Sequence, residues 1–157
     1  MKGQSVGILE RAAPEDLPTR YISALLLREV HDFIRLAIRS YDMDLEDLMI
    51  VICVATESTY DVVEEVYLSN EYGFESNVLP TAERRPVSLK HIHTVLKLSR
   101  ETTRCKLVRL VDKGYLLRVK EGYIFPAQEG EADYTRELRQ AVATNARRFV
   151  RYVNRLG

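Results

Sequence analysis

Apolar side chains recur at three- and four-residue steps over most of this chain, a spacing that predicts helices. In residues 17–41 the period is kept by Leu17, Tyr21, Ile22, Leu25, Leu26, Val30, Phe33, Ile34, Ala37, Ile38 and Tyr41. Asp42-Met43-Asp44 breaks it. Asp44 suits the N-cap of a second helix, with Glu46 and Asp47 at its positive end. Residues 48–55 are apolar all round, which predicts a buried helix segment; eight residues are far too few to cross a bilayer. The pattern predicts continuation through Val62, Val63, Val66 and Leu68, then a polar loop over residues 69–87 broken by Asn70, Gly73, Asn77, Pro80 and Pro86. Residues 133–156 form an amphipathic helix with one stripe of Tyr134, Leu138, Val142, Ala146, Phe149, Val153 and Leu156. Arg147, Arg148, Arg151 and Arg155 lie on its other side.

Between these helices the pattern shortens. Ser88 caps a helix in which Leu89, Ile92, Val95 and Leu96 hold helical spacing. Ser99 caps another, from Arg100 to about Lys113, with Thr103, Leu107, Leu110 and Val111 inward. Gly114 fits the left-handed position that ends a helix. Residues 115–119 are rich in strand formers, residues 120–122 form a turn, and Tyr123-Ile124-Phe125 returns as a second strand closed by Pro126. Two short helices, a tight turn and a β-hairpin make a winged helix-turn-helix, whose second helix enters the DNA major groove. The expected fold is therefore mainly α: that module over residues 84–126, helices over residues 1–83, and a C-terminal helix in residues 127–157, all in one compact unit.

Charge sharpens the picture. The chain has 23 basic and 23 acidic residues, a formal net charge of zero. Residues 84–120 nevertheless hold eleven basic against two acidic residues, a formal +9, while residues 1–83 hold six against sixteen, a formal −10. A phosphate backbone selects for such segregation, because each neutralised phosphate releases counterions. A solvated basic surface without a partner is the plainer alternative. On the helix from Arg100, the face opposite the apolar one carries Glu101, Cys105, Val108, Arg109 and Asp112, flanked by Thr102, Arg104 and Lys106. Arg can fork onto guanine, Glu can accept from cytosine, and Thr or Val can touch a thymine methyl.

The run Ser99-Arg100-Glu101-Thr102 resembles the recognition helix of the cyclic-AMP receptor protein group. The later Leu110-Val111-Asp112-Lys113-Gly114-Tyr115-Leu116 resembles MarR-like and GntR-like regulators. About forty residues carry the likeness. It implies that Arg100 and Glu101 read base edges. A second reading Arg of that pattern falls where this chain has Cys105, one residue after Arg104. It also implies dimerisation through long helices outside the module. No β-roll precedes the module, so no nucleotide cofactor is carried over.

The expected interface is Ser99, Arg100, Glu101, Thr102, Arg104, Lys106, Arg109, Arg118 and Lys120. Arg100, Glu101, Thr102 and Arg109 would address bases; Arg104, Lys106, Arg118 and Lys120 would address phosphates. Ser99 is equally well explained as a helix cap. No glycine-rich phosphate loop, nucleophile elbow, HExxH or CxxC pattern is present, and His91 and His93 lack a ligand pattern. No enzyme motif, metal or other cofactor is expected. Residues 1–16 lack an apolar signal-peptide core, and two cysteines fit a reducing cytoplasm. The reading is a cytoplasmic, sequence-specific regulator that binds double-stranded DNA as a homodimer through its terminal helices, with no membrane contact. The operator, the sign of regulation and any small-molecule effector stay open. The alternative is a winged-helix module that binds protein or senses a ligand without touching DNA.

Overall fold

The computed structural model describes residues 18–65, 70–72, 76–128 and 135–155. Leu17, Val66, Leu68, Ser69, Gly73, Tyr134 and Leu156 lie outside the described residues, as does the side chain of Val63. The chain is mainly helical with one small two-stranded antiparallel sheet. It forms two compact units, residues 42–134 and residues 1–41 with 135–157. The division differs from the expected one: the second helix belongs with the helix–turn–helix segment, and the first helix pairs with the last.

In the larger unit, α2 (Leu45–Ser58) starts where Asp44 leaves the helical conformation. Asp44 Oδ1 accepts from the Asp47 amide at 2.8 Å, and Asp47 Oδ2 accepts from the Asp44 amide at 3.2 Å. This reciprocal cap satisfies two backbone donors that the first helical turn leaves unpaired. The predicted long continuation is interrupted at Thr59, after which α3 spans only Tyr60–Glu64. The Thr56 and Thr59 hydroxyls donate back to the Ile52 and Ala55 carbonyls, at 2.9 and 2.8 Å, and compete with the helical ladder at that point.

The helix pair follows the sequence closely. In α4 (Leu89–Leu96) Ser88 Oγ accepts from the His91 amide at 3.1 Å. In α5 (Arg100–Asp112) Ser99 Oγ accepts from the Thr102 amide at 3.0 Å. Between them Lys97 takes the left-handed conformation, φ 54°. Ile92, Thr103, Leu107 and Leu110 are buried, with Leu48, Ile50, Val54, Leu116 and Ile124 completing the core. Val95, one of the apolar residues at helical spacing in α4, is exposed.

Gly114 ends α5 with φ 78°. The first strand is shorter than predicted, β1 being Leu117–Val119, and the second is shifted by one residue, β2 being Gly122–Ile124. Tyr115 and Leu116 instead donate their amides to the Leu110 carbonyl, at 3.0 and 3.4 Å, and so close the end of α5. The Phe125 amide leaves the hairpin for Ser58 Oγ at 3.3 Å. Arg118 pairs with Tyr123 across the hairpin, and Val87 adds a bridge on the other side of Tyr123 through bonds of 2.8 and 2.9 Å. A side chain on Gly122 would run into the Val87 carbonyl, so the approach requires glycine.

The predicted loop over residues 69–87 contains an ordered brace. A 3-10 turn at Thr81–Glu83 leads into Arg84, which is buried. Its guanidinium donates to the Leu79 carbonyl at 3.2 and 3.0 Å and to the Phe125 carbonyl at 3.0 Å. One side chain thereby ties the loop to the end of the hairpin.

The smaller unit pairs α1 (Thr19–Ser40) with α6 (Arg136–Asn154). They run antiparallel: Arg148 holds Glu29 at 2.8 Å and lies 3.7 Å from Asp32, while Tyr152 lies under Arg28 at 5.6 Å. Glu29 is buried and its carboxylate receives the Arg148 guanidinium through three hydrogen bonds. The predicted α6 stripe is only partly covered. Val153 is buried and Leu138 and Phe149 are half-buried, but Val142 is 40 % exposed and Ala146 is exposed too. Among the described residues no helix is long and apolar enough to cross a membrane.

Candidate nucleic-acid interface

Two faces of α5 carry the expected interface residues, and they have different partners. At the first turn Arg100 is exposed and has no acidic partner among the described residues. Ser99 serves as the cap, and its hydroxyl donates to Thr102 Oγ1 at 2.7 Å. Arg104 forks onto Glu101 through bonds of 3.1 and 2.7 Å. The exposed Cys105 thiol reaches the same carboxylate at 3.4 Å. Hydrogen bonds from Arg104 and then Cys105 hold the Glu101 carboxyl below its ordinary pKa. Arg100, Glu101, Thr102 and Arg104 are thus brought together on an exposed patch.

The other flank is turned onto α2. Lys106 Nζ sits 2.6 Å from Asp44, 3.2 Å from Asp47 and 3.3 Å from Glu46, and its side chain is only 13 % exposed. Arg109 is paired with the buried Asp47 and lies 3.7 Å from Asp44. Lys113 reaches Asp42 at 2.8 Å. Hydrogen bonds from Lys106 and the Asp47 amide hold the Asp44 carboxyl below its ordinary value, and Lys113 does the same for Asp42. Burial opposes the charge on Lys106, but its bonds to Asp44 and Asp47 outweigh that and raise its pKa. Lys106 and Arg109 were expected to address phosphate and bases; here their charges are spent on carboxylates of the same chain. A 100° helical step explains this: Lys106, Arg109 and Lys113 fall on one flank, and that flank faces the acidic start of α2.

The +9 segment is therefore partly neutralised, four of its cations being paired with acids from outside it. Arg84 is buried, Arg85 pairs with Asp61 at 3.1 Å, Arg104 with Glu101, and three cations with α2. Lys90, Lys97, Arg100, Arg118 and Lys120 are exposed without an acidic partner among the described residues. Counted by unit, residues 42–134 hold eleven basic against seventeen acidic residues, a formal −6. The other unit holds twelve against six, a formal +6. The partners Asp42, Asp44, Glu46 and Asp47 were not singled out as such from sequence. The signal was present in the opposed −10 and +9 segments, which suit each other as well as they suit a phosphate backbone.

Comparison with protein-family models, curated proteins and solved structures returns no match. The likeness to bacterial regulators rests on the residues that carry it.

Proposed function

We propose that this protein is a winged helix-turn-helix transcriptional regulator that binds double-stranded DNA as a homodimer. The observation that supports it best is the exposed, Ser99-capped start of α5, where Arg100, Thr102 and the Glu101–Arg104 pair stand together. This end follows a tight turn from α4, and a hairpin follows α5, the arrangement in which a recognition helix enters the major groove beside a wing. In this reading Arg100, Glu101, Thr102 and Arg104 address bases, and Ser99, Arg118 and Lys120 address phosphates. Lys106 and Arg109 support α5 from behind. Arg104 and Glu101 present donor and acceptor as one preformed unit, so little ordering is left for binding.

The homodimer draws support from the helix pair. Leu26, Leu27, Val30 and Ile38 of α1 are exposed, with Leu27 at 68 %, beside Val142 and Val150 of α6. Two antiparallel helices cannot cover these positions themselves, and a second copy can. Two-fold pairing would present two recognition helices to two half-sites.

A second reading is a protein-interaction module. The middle of the outward face of α5 favours it, since Glu101, Cys105, Val108 and Asp112 carry no cation. Titration against a random duplex pool at several salt concentrations separates the two. DNA binding requires an affinity that falls steeply with salt, by about 0.9 in log–log slope per phosphate contact. A flat response, or no binding at low salt, leaves the interaction module.

A further inference from the structure

We propose that the outward face of α6 is a second contact surface for a nucleic-acid backbone, with Arg147, Arg151 and Arg155 each taking a phosphate. The inference rests on the DNA-binding reading and moves much of its phosphate contact away from α5. Its starting point is the shortage created there: Lys106, Arg109 and Lys113 are occupied by carboxylates at or just before the start of α2. Lys90, Lys97, Arg100, Arg118 and Lys120 stay open in that unit, and further open cations lie on the helix pair.

The helix pair keeps them. Its described residues contain ten arginines, no lysine and three acids, Glu29, Asp32 and Glu137. Arg148 engages Glu29 and Asp32, and Arg28 lies 3.7 Å from Glu29. Arg147, Arg151 and Arg155 recur every four residues, and all three are exposed with no acidic partner among the described residues. Arg155 lies just past the helix but keeps helical angles, φ −79° and ψ −11°, so the row is unbroken. It also stacks on Tyr152 at 5.8 Å, which restrains its position. A rise of 1.5 Å per residue puts neighbours about 6 Å apart and the row about 12 Å long. That length covers roughly three to four phosphates along one strand.

Residue choice supports the same partner. A face that serves only solubility has no need to exclude lysine. The planar guanidinium, with paired donors, matches phosphate oxygens bidentately and is less strongly hydrated than an ammonium. A basic amphipathic helix also suits an anionic lipid surface, and the test separates that outcome.

The full chain is titrated against a random duplex pool and against phosphatidylcholine vesicles containing phosphatidylserine. It is compared with the triple variants Arg147→Gln/Arg151→Gln/Arg155→Gln and Arg147→Lys/Arg151→Lys/Arg155→Lys, each checked by circular dichroism for unchanged helix content. The glutamine triple should lose about 2.7 of the log–log salt slope, three contacts at about 0.9 each. Its preference in binding-site selection should stay that of the wild type, and the lysine triple should keep the slope. A glutamine triple with the wild-type slope overturns this inference and leaves DNA binding by α5 intact. Loss of vesicle binding with unchanged duplex binding also overturns it, in favour of a lipid surface. A wild-type chain that leaves duplex unbound at low salt overturns the DNA-binding reading and this inference together.

Discussion

The basic flank of α5 and the basic face of α6 look alike in sequence and differ in the folded chain. Both place cations at three- and four-residue steps on an amphipathic helix. At the α5 flank, Lys106, Arg109 and Lys113 meet Asp42, Asp44, Glu46 and Asp47, at or just before the start of α2. On α6, Arg147, Arg151 and Arg155 meet no acid among the described residues. A cation held by carboxylates offers a phosphate less net charge and fewer free donors, so equal formal charge does not mean equal readiness to bind. The difference also separates two jobs. The α5 flank fixes the helix against its neighbour, and the exposed arginines remain available to a partner.

The comparison fails if the α2 carboxylates do not hold the α5 flank, and Asp47→Ala tests that most severely. It removes half of the reciprocal cap and leaves Lys106 and Arg109 without their buried partner. The expected loss is about 3 kcal/mol in chemical denaturation followed by circular dichroism. A loss under about 0.5 kcal/mol would show the contact to be ornamental.

In the other unit, Arg148→Ala strands the buried Glu29 carboxylate. Because Arg148 is partly exposed and water can partly replace it, the expected loss in chemical denaturation is smaller than that of Asp47→Ala. Replacing both partners by Leu and Met should recover most of it, since no buried charge is then left unpaired.

Acid offers a graded version of the first test. Asp44 has a carboxyl held below its ordinary 3.8. A depressed carboxyl contributes stability that is fully present above its unfolded value and is lost as pH falls through the folded one. Stability should therefore hold down to about pH 4 and decline below it. Asp44→Asn should make that decline shallower.

The smallest effect sharpens the comparison most. Lys106→Gln should leave the salt slope of duplex binding unchanged, whereas Arg118→Gln should reduce it by about 0.9 if the hairpin residue holds a phosphate. A Lys106→Gln slope that also falls by about 0.9 would show that the α5 flank opens on binding.

Much of the architecture was legible in the residues because local chemistry decides it. Asp44, Ser88 and Ser99 have short side chains that accept a backbone N–H, and each starts a helix where expected. Thr103, Leu107 and Leu110 fall on one face by periodicity alone, and Gly114 ends α5 because it can adopt φ 78° without strain. Long-range choices were not legible. No local rule says that Arg84 will be buried across two backbone carbonyls, or that Val87 will pair with Tyr123. Nor does periodicity say that residues 42–58 will join the module while α1 pairs with α6.

The sequence by itself determined where α2, α4 and α5 begin, where the hairpin turns, and that Thr103, Leu107 and Leu110 of α5 face the core. Only the tertiary structure decided which charges stay open. Helical period assigns a side chain to a face, but an ion pair depends on what another element brings within about 4 Å of it. That element, the acidic start of α2, lies some sixty residues away along the chain, at separations of 59 to 71 residues for the bonds it makes.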